Sequence, residues 1–519
     1  MEDDPMKVIF PLFLFLLLFQ QSFAQTILVD DFPVSDATNT SVYRPMVAAA
    51  PNGSYAVTWG DERYGNTNRS SGAGNIFGRI IGSNGSALTA NFRVDDVVAN
   101  TYYTDYWVFF STPLFLPSGQ LVVVWHVNGA SGISGIQSND VYYTAFNGAT
   151  KLGAGVQLNT EGSATGAGAS RPSVCFRPPS TFLAVFEYAK NGNNIAGMVV
   201  DANSGSKIGN AFGMSDNTSN SRIYPHVASN GNYSVCVWTD GRTDTQVGDV
   251  YAERIEGGNL ASTNVKVNDD GPGGYNQYAR VAMDAQGNYV VVWIDTRSNS
   301  GGDLYAQRFD AQGNRVRSNF KLTKSNSKFW EYPPGIAMKN DGSFVVTWAD
   351  DLTKTGNNFT VKSRFFSSSD QPLSDVIQVT TAPSAQPDVK IGATGAVFYA
   401  WNDGRENATL GRIYSKVYSG FPTTGVENNT APLSFQLDQN YPNPFNPSTS
   451  IRYQITSAGY VSLRVFDVLG REIATLVDEH KAAGAYAVRW DASNVPSGTY
   501  FYRLANEGKI ASKVMAFIK

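Results

Sequence analysis

Short apolar runs that end in an aromatic residue recur along most of the chain. Each run has about five residues, as in YVVVW and FVVTW, and polar residues follow it. Successive aromatic ends lie 66, 61, 52, 55, 55 and 53 residues apart, so the period is nearly constant after two longer repeats. A fixed period of this size predicts one supersecondary unit per repeat. The seven aromatic ends are Trp59, Trp125, Phe186, Trp238, Trp293, Trp348 and Trp401.

Each repeat contains four segments with strand character. In the fifth copy they are residues 280–283, 288–293, 303–309 and 319–323, and the turn AQGN separates the first two. The second segment is apolar at consecutive positions, which is typical of a strand covered on both faces. Twisted four-stranded sheets packed around an axis meet this requirement. The sequence therefore predicts an all-β fold with a seven-bladed β-propeller over residues 25–419.

The two ends of the repeat region predict how such a ring closes. The last repeat has three strand segments and ends near Tyr418 without a fourth. The segment FPVSDATNTSVYRP at residues 32–45 matches FGMSDNTSNSRIYP at residues 212–225, which runs from a fourth strand into the next repeat. We therefore expect Ile27–Ser35 to supply the missing strand, because an unpaired sheet edge invites aggregation.

The first 24 residues have the pattern of a signal peptide. Lys7 precedes an apolar run over residues 8–19, and small residues precede Gln25. The apolar run is too short to span a bilayer. The acidic residues at the very start do not fit a signal peptide, and translation from Met6 would remove them. We expect residues 1–24 to be cleaved on export, which leaves a mature chain without a transmembrane helix.

Composition excludes several classes of function. The net charge is -4 and Lys and Arg form no run, which argues against a nucleic-acid partner. Only three histidines are present and they are scattered, so we expect no metal site, no cofactor and no Ser-His-Asp triad. Cys175 and Cys236 lie in apolar runs, which favours buried thiols over a reactive site, and whether they pair stays open.

An Asp-x-Arg motif follows the aromatic end in four repeats. Catalytic carboxylates and substrate-binding arginines would be one interpretation. An asymmetric ligand does not need four equivalent sites, however, whereas a repeated hairpin loop needs its polar groups paired. We therefore interpret the motif as structural. The pairs are Asp61 and Arg63, Asp240 and Arg242, Asp295 and Arg297, and Asp403 and Arg405.

The segment DAQGNYVVVW at residues 284–293 resembles the Asp-box of sialidase-like propellers. It lacks the serine before the aspartate, and its spacing from Asp to Trp is longer. Neither a nucleophilic Tyr with a Glu partner nor an arginine triad can be picked out of the sequence. A glycan-active hydrolase or lyase stays an alternative, because the distance between two carboxylates is a spatial property.

Aromatic residues in the loops before the first strands are candidate ligand contacts. Five tyrosines at nearly equal positions, including Tyr43, Tyr224, Tyr278 and Tyr332, are interpreted as packing residues because they repeat. Other aromatic residues occur in single repeats, where they would stack on sugar rings, anchor a protein partner, or pack between blades. These candidates are Tyr102, Tyr103, Trp107, Tyr275, Phe329 and Trp330.

The C-terminal part of the chain has a different composition. A polar linker at residues 420–434 is followed by a region, residues 435–519, in which apolar and polar positions alternate. Strands are predicted at Ser450–Ile455, Tyr460–Asp467, Ala485–Asp491 and Gly498–Ala505, separated by turns, as in a small β-sandwich. The linker and these strands together predict a separate domain.

This last domain is similar to the type A C-terminal sorting domain of type IX secretion substrates. The resemblance implies an Ig-like fold, recognition by an outer-membrane translocon, and secretion or display on the surface of a Gram-negative bacterium. The residues that carry the resemblance include Tyr441, Pro442, Asn443, Pro444, Phe445, Asn446, Pro447, Asp467, Gly470, Arg471, Trp490, Gly498 and Lys519.

Three hypotheses for the body of the protein follow. The first is a non-catalytic propeller that binds an extracellular glycan or protein through the loop face. The second is the hydrolase or lyase on the same scaffold, and the third is a structural surface protein without a specific ligand. The scarcity of histidine and the repetition of the polar motifs favour the first and the third.

Overall fold

The computed structural model describes residues 26–519 with internal gaps, and the chain forms two compact units whose boundary in the sequence follows Pro422. The described part is all-β and contains no helix, so no helix there is long and apolar enough to cross a membrane. The gaps are residues 37–39, 64–73, 97–109, 128–139, 160–167, 190–193, 216–221, 243–247, 257–258, 261–262, 272–273, 299–300, 324–331, 352–358, 407–410, 423–434, 441, 456–458 and 482–483.

Small antiparallel sheets make up the first unit. Strand β1 is Ile27–Pro33, and the next sheet contains β2 (Val42–Ala49), β3 (Tyr55–Asp61), β4 (Asn75–Ile81) and β5 (Phe92–Arg93). The following sheet contains β6 (Ser111–Phe115), β7 (Leu121–Val127), β8 (Asp140–Asn147), β9 (Thr150–Lys151) and β10 (Val156–Gln157). The next contains β11 (Ala169–Arg177), β12 (Thr181–Tyr188), β13 (Asn194–Asp201) and β14 (Lys207–Gly213).

The same order of strands repeats in the second half of this unit. One sheet contains β15 (Arg222–Ser229), β16 (Tyr233–Asp240), β17 (Asp249–Glu256), β18 (Asn259–Leu260) and β19 (Val265–Lys266). The next contains β20 (Asn276–Met283), β21 (Tyr289–Asp295), β22 (Asp303–Phe309) and β23 (Phe320–Lys321). The sheet after that contains β24 (Gly335–Met338), β25 (Phe344–Asp351), β26 (Phe359–Phe366) and β27 (Ile377–Gln378). The last sheet contains β28 (Ser384–Ile391), β29 (Val397–Asp403) and β30 (Arg412–Tyr418).

The first strands of these sheets follow one another in a closed cycle. Strand β2 contacts β6, the contacts continue through β11, β15, β20, β24 and β28, and β28 contacts β2 again. We call these seven the inner strands. Because every inner strand has a neighbour on each side, the sheets surround a common axis, and their second strands lie one position farther out.

Strand β1 completes the sheet that begins with β28. It pairs antiparallel with β30, with Ile27 opposite Tyr418 and Pro33 opposite Tyr414. Two bonds extend this pairing at its ends, from Ser419 N to the Thr26 carbonyl (2.9 Å) and from Val34 N to the Ile413 carbonyl (2.7 Å). The N-terminal segment therefore supplies the strand that the last repeat lacks, as its sequence predicts.

Apolar packing between adjacent sheets forms the core. Every residue of β21 is buried, and one core cluster joins Val237 of β16 to Val291 and Trp293 of β21. The second strands are thus covered on both faces, which explains why their sequences lack the alternation of a half-exposed strand. The turn predicted after residue 283 is present, with Gly287 at φ +95°, where a residue with a Cβ would be strained.

Two sheets that share one core form the second unit. Their inward residues include Ile451, Leu463, Trp490 and Tyr502, all at least nine-tenths buried. One sheet contains β31 (Gln436–Leu437), β32 (Ser448–Ile455) and β35 (Gly484–Asp491), and the other contains β33 (Gly459–Phe466), β34 (Glu472–Lys481), β36 (Gly498–Asn506) and β37 (Lys509–Phe517).

Three strands of this unit, β31, β34 and β37, lie outside the four predicted segments, and β34 is the longest. The segment Glu472–Lys481 is a ten-residue edge strand, β34, which the sequence does not predict. It pairs on one side only, with β33, and Val477 is its one fully buried residue among Ile473, Glu479 and other exposed ones. An edge strand with a mostly exposed face does not need apolar alternation, so periodicity gives no signal for it.

Candidate functional site

Five inner strands carry the same backbone irregularity near their first residues. In each, the pairing with the second strand shifts at a bulge, and a residue other than glycine has a positive φ. A left-handed conformation costs an L-residue about 1 kcal/mol, and bulges re-aim side chains. We call these the bulge residues. They are Arg44 (φ 53°), Arg171 (49°), Tyr224 (59°), Tyr278 (58°) and Gln386 (55°).

All five bulge residues line one cavity of about 70 Å³, which we call the axial pocket. Every inner strand, or the segment directly before it, contributes to the lining, so the pocket lies on the common axis. Phe110 and Tyr332, which precede β6 and β24, add aromatic surface. Proline follows four of the bulge residues, and these rings make much of the wall rigid and apolar.

Two arginines in the axial pocket lie against aromatic faces. The Cζ of Arg44 lies 4.0 Å from the ring centre of Phe110. The Cζ of Arg171 lies 4.5 Å from the ring centre of Tyr224 and 5.7 Å from that of Phe110. The rings of Tyr224 and Tyr278 are 4.5 Å apart. Guanidinium groups stack well on aromatic faces, so these contacts hold the charged groups in place.

Glu187, at the end of β12, positions two of the bulge residues. Both of its carboxylate oxygens accept from Nη1 of Arg171, at 2.9 and 2.7 Å. The same side chain accepts from Ser170 Oγ (2.9 Å) and from the backbone N of Tyr224 (2.8 Å). Burial acts to lower the pKa of Arg171, but the charge and hydrogen bonds of Glu187 outweigh it, and the pKa is raised.

Side chains link consecutive inner strands near the pocket. In three places a side chain two residues after a bulge residue accepts a hydrogen bond from a valine N–H of the next inner strand. These bonds tie the inner strands together where no backbone ladder joins them. They run from Val47 N to Asp388 Oδ2 (2.8 Å), from Val227 N to Ser173 Oγ (3.2 Å) and from Val281 N to His226 Nδ1 (3.2 Å).

Two buried histidines near the axis are neutral. Burial, followed by the positive charges of Arg171 and Arg44, lowers the pKa of His126 to about 3. The ring of His126 lies 5.3 Å from that of Phe110, behind the pocket wall. Burial, followed by the charges of Arg280 and Lys390, lowers the pKa of His226 well below its usual value. Neither imidazole therefore adds charge at neutral pH.

A second cavity of about 530 Å³ continues along the axis. Met46 and Thr112 line both cavities, so the two are contiguous. Its lining consists mostly of apolar and small residues from the later parts of the inner strands, together with His226, Asp284 and Lys390. The concentration of charged and aromatic groups thus belongs to the axial pocket.

The Asp-x-Arg motifs form a different structure, at the ends of the second strands. In the copy at Asp61, the carboxylate accepts from Trp59 Nε1 (3.1 Å), from Arg63 N (2.9 Å) and from Arg63 Nη2 (2.6 Å). The guanidinium then lies over the ring of Phe77 at 4.2 Å. We call this arrangement the Asp-Arg corner. It recurs with Trp238, Asp240, Arg242 and Tyr251, with Trp293, Asp295, Arg297 and Tyr305, and with Trp401, Asp403, Arg405 and Tyr414.

These contacts favour the structural interpretation of the motif. Each of the aspartates at 61, 240, 295 and 403 is fully inaccessible and accepts from the tryptophan and arginine of its own hairpin. Asp240 also accepts from Arg222 Nε (3.1 Å). The two cysteines are likewise interior: Cys175 and Cys236 are free and buried, and burial raises the pKa of the Cys175 thiol to about 12. Within the described ranges, no cluster of three or more His, Cys, Asp or Glu could hold a metal ion.

Most of the predicted ligand contacts fall outside the described residues. Tyr275 is described; it is half-buried before β20, and its backbone N donates to Thr296 Oγ1 (2.8 Å). It does not line the axial pocket. The loop-face prediction therefore remains a prediction. The candidates outside the described residues are Tyr102, Tyr103, Trp107, Phe329 and Trp330.

The repeated tyrosines have different surroundings. Tyr43 does pack, since its ring lies against the backbone of Gly60. Tyr224, Tyr278 and Tyr332 also pack, since the rings of Tyr224 and Tyr278 are 4.5 Å apart and Tyr332 contacts the ring of Phe359. In addition, these three tyrosines line the axial pocket. A signal for this was present in the sequence, because four bulge residues of differing type precede a proline near the start of a first strand. Proline is rare inside regular strands and is tolerated at bulges.

The sorting-motif residues tie the two ends of the second unit together. Asn443 Oδ1 accepts from Ala516 N (2.8 Å), and Phe445 packs on the rings of Trp490 (5.6 Å) and Phe517 (5.1 Å). Gly470 has φ +75° in a turn where Arg471 Nε donates to Asp467 Oδ2 (2.7 Å). Further contacts involve Pro442, Pro447 and the backbone of Lys519, while Gly498 begins β36, Asn446 is exposed and Tyr441 lies outside the described residues.

These features define an all-β protein with a body of small four-stranded sheets around an axial pocket and a separate C-terminal sandwich. Residues 439–518 match the family model described as the secretion system C-terminal sorting domain. The similarity in this region is thus shown, and it identifies type IX secretion as the export route and the outer-membrane surface or the medium as the destination.

Comparisons of the whole chain give distant likenesses. No curated protein matches the sequence significantly. A protein of unknown function from Dyadobacter fermentans is 10% identical, with 75% of this chain and 98% of that one covered and a TM-score of 0.43. The NanB sialidase of Streptococcus pneumoniae is 11% identical, with 75% and 70% covered and a TM-score of 0.44. A GH93 α-L-arabinofuranosidase of Fusarium graminearum is 12% identical, with 61% and 94% covered and a TM-score of 0.42.

Proposed function

We propose that the body of this protein is a surface-displayed or secreted binding module that takes an extracellular glycan into its axial pocket. In this proposal, residues 25–419 form a seven-bladed β-propeller closed by the N-terminal strand, and residues 420–434 link it to an Ig-like sorting domain at 435–519. The translocon is the partner of the sorting domain, and the glycan is the partner of the propeller.

The cyclic contacts of the inner strands and the pairing of β1 with β30 support the architecture. The bulge residues are the observation that carries the function. Their backbone conformation repeats from sheet to sheet, whereas their side chains are arginine, tyrosine or glutamine. Packing alone does not call for strained residues of differing type that converge on one cavity, and strain of this kind concentrates at functional sites.

The chemistry of the pocket suits a sugar. Aromatic and proline rings offer flat apolar surface for the C–H faces of a pyranose, while tyrosine hydroxyls, Gln386 and arginine supply hydrogen bonds. Gln386 Oε1 already accepts from the backbone N of Arg44 at 2.6 Å, so this side chain is held in place before a ligand arrives. Preorganised groups bind with a smaller loss of entropy.

A glycan array with the protein containing residues 25–519 tests this proposal. We expect a restricted set of glycans to bind, and we expect Tyr278→Ala to weaken that binding at least about tenfold, since stacking on an aromatic side chain and its hydroxyl contribute about 1–2 kcal/mol. Tyr305→Phe is the matched control, because Tyr305 lies under Arg297 in an Asp-Arg corner. An array without any bound glycan would refute the proposal.

The same array tests the loop-face prediction. Trp107→Ala and Trp330→Ala alter aromatic residues of the loops that precede first strands. Weaker binding in either variant would extend the site from the axial pocket onto the loops. Unchanged binding in both variants, with a loss in Tyr278→Ala, would confine the site to the pocket.

A further inference from the structure

The axial pocket carries an excess of positive charge. Arg44, Arg171 and Arg280 line it, and Asp388 is the one carboxylate among its described lining residues. Arginine stays protonated in proteins, so these charges persist at every physiological pH. Burial lowers the pKa of Arg44, and the charge of Arg171 acts in the same direction, which shows that the two cations oppose each other in this space.

Arg171 has donor capacity that the protein does not use. Of the donor nitrogens of Arg171, only Nη1 donates to Glu187, the carboxylate that positions this side chain. The Nε of Arg171 is buried and has no hydrogen-bond partner among the described residues. A buried donor without a partner is costly, so a ligand acceptor at this position would be stabilised. The fork of a guanidinium matches the paired oxygens of a carboxylate or a sulfate.

The dimensions of the pocket limit how a ligand enters. At about 70 Å³ the cavity has room for roughly five water molecules. This volume suits an anionic group and the adjoining edge of a ring, and not a whole oligosaccharide. Phe110, Tyr224 and Tyr278 lie around the two arginines, so a ring that follows the anionic group would meet aromatic faces.

We infer that the axial pocket receives the anionic substituent, a carboxylate or a sulfate ester, of an acidic sugar at the end of an extracellular glycan. This inference rests on the proposed function and specifies its ligand class. Arg44 and Arg171 bind the anionic oxygens, the aromatic rings contact the sugar, and Glu187 acts as a positioning residue for Arg171.

The ligand itself supplies the sharpest test, because it leaves the protein unchanged. Binding of the whole protein is measured by calorimetry for a uronate-terminated oligosaccharide, for its carboxyl-reduced counterpart, and for the matching sulfated sugar. We expect reduction to weaken binding at least about thirtyfold, a loss of about 2 kcal/mol for charge-assisted hydrogen bonds. Simple acetate is a further arm, and equal competition by acetate would overturn the assignment to a sugar.

A pair of variants addresses the protein side. Arg44→Gln is expected to lose the preference for acidic over neutral glycans, with Arg254→Gln as the matched control. Arg254 also lies over an aromatic ring, that of Tyr233 at 3.6 Å, but it does not line the pocket. Thermal unfolding verifies that both variants are folded.

The outcomes separate this inference from the proposed function. Equal binding of the acidic and the carboxyl-reduced oligosaccharide would overturn the inference and leave glycan binding intact. The absence of any glycan ligand would refute the proposed function itself. Tight binding of the acid, weak binding of the reduced sugar, and an effect of Arg44→Gln without one of Arg254→Gln would establish both.

Discussion

The Asp-Arg corners and the bulge residues are both repeated around the ring, but they differ in what repeats. At the corners the side chains recur together with the backbone, and each aspartate is satisfied by its own hairpin. At the bulges the backbone recurs while the side chains differ, and they meet across sheets in one pocket. The side chains of the four corners recur because each set pairs within its own hairpin. The side chains at the bulges differ from sheet to sheet, and together they form a pocket that several sheets share.

The largest expected effect concerns a corner. Arg63 contacts a buried carboxylate, Asp61, and an exposed one, Asp36, whose side chain is 54% accessible. We expect Asp61→Ala to lower the free energy of unfolding by about 3 kcal/mol, because it leaves Trp59 Nε1 and the partly buried guanidinium without their acceptor. Chemical denaturation measures the change.

Asp36→Ala is the control for this pair, with an expected loss below about 1 kcal/mol since the ion pair is exposed. Glycan binding should survive in both variants as long as the protein is folded. A folded Asp61→Ala protein that no longer binds glycan would contradict the division of roles between corners and bulges.

A second effect separates the two regions by pH. The folded-state pKa values of His126 and His226 lie below the unfolded value, so above pH 6.5 the titration of neither histidine makes stability depend on pH. As the pH falls below 6.5, these histidines become protonated in the unfolded chain but stay neutral in the folded chain. His126, whose folded-state pKa is about 3, then lowers stability by about 1.4 kcal/mol per pH unit, or about 2 kcal/mol by pH 5. His226 acts in the same direction.

Denaturation midpoints between pH 7 and 5 measure this loss. His126→Leu and His226→Gln should each flatten the profile, and glutamine keeps an acceptor near the N–H of Val281. Asp240, in a corner, responds in a different range: its pKa is lowered, by hydrogen bonds from Arg242 and Trp238 that outweigh burial, so its stabilising effect is lost only below about pH 4. A profile that is unchanged in both histidine variants would contradict this account.

The smallest effect tests the strain at a bulge. Tyr278 has φ 58°, so Tyr278→Gly should be more stable than Tyr278→Ala by about 1 kcal/mol, because glycine adopts this conformation freely. Ala282 lies in the regular part of the same strand, and there Ala282→Gly should instead destabilise by at least about 1 kcal/mol. Thermal melting measures the difference in stability between glycine and alanine at each position. If alanine is the more stable residue at position 278 as well as at position 282, the bulge is unstrained.

Much of the fold could be predicted because it depends on local patterns. The aromatic ends marked the second strands, and the four segments of the fifth repeat correspond to β20–β23. The match between residues 32–45 and 212–225 led to the pairing of β1 with β30. Strand β34 was missed because an exposed edge strand has no apolar period.

The pocket could not be predicted in the same way. Arg44 and Gln386 are 342 residues apart, and the hydrogen bond between them exists only because the ring is closed. The equal spacing of Tyr224 and Tyr278 suggested packing, since sequence shows that a position repeats but not that its side chain points to an axis. The available signal was a residue of varying type before a proline. It indicates a bulge residue only once the backbone is known to have a positive φ there.

The closure by β1 also has a consequence for how the chain can be built. Ser419 N and the Thr26 carbonyl are 2.9 Å apart, so the start and the end of the body are neighbours in space. Because the chain is made from its N-terminus, β1 is synthesised long before its partner, and the pairing that closes the ring can form only once β30 has been made. Joining Thr26 to Ser419 through a short linker and opening the chain at the turn near Gly287 would give a circular permutant with the same ring. Its first and last strands would then come from the sheet that contains β20 and β21.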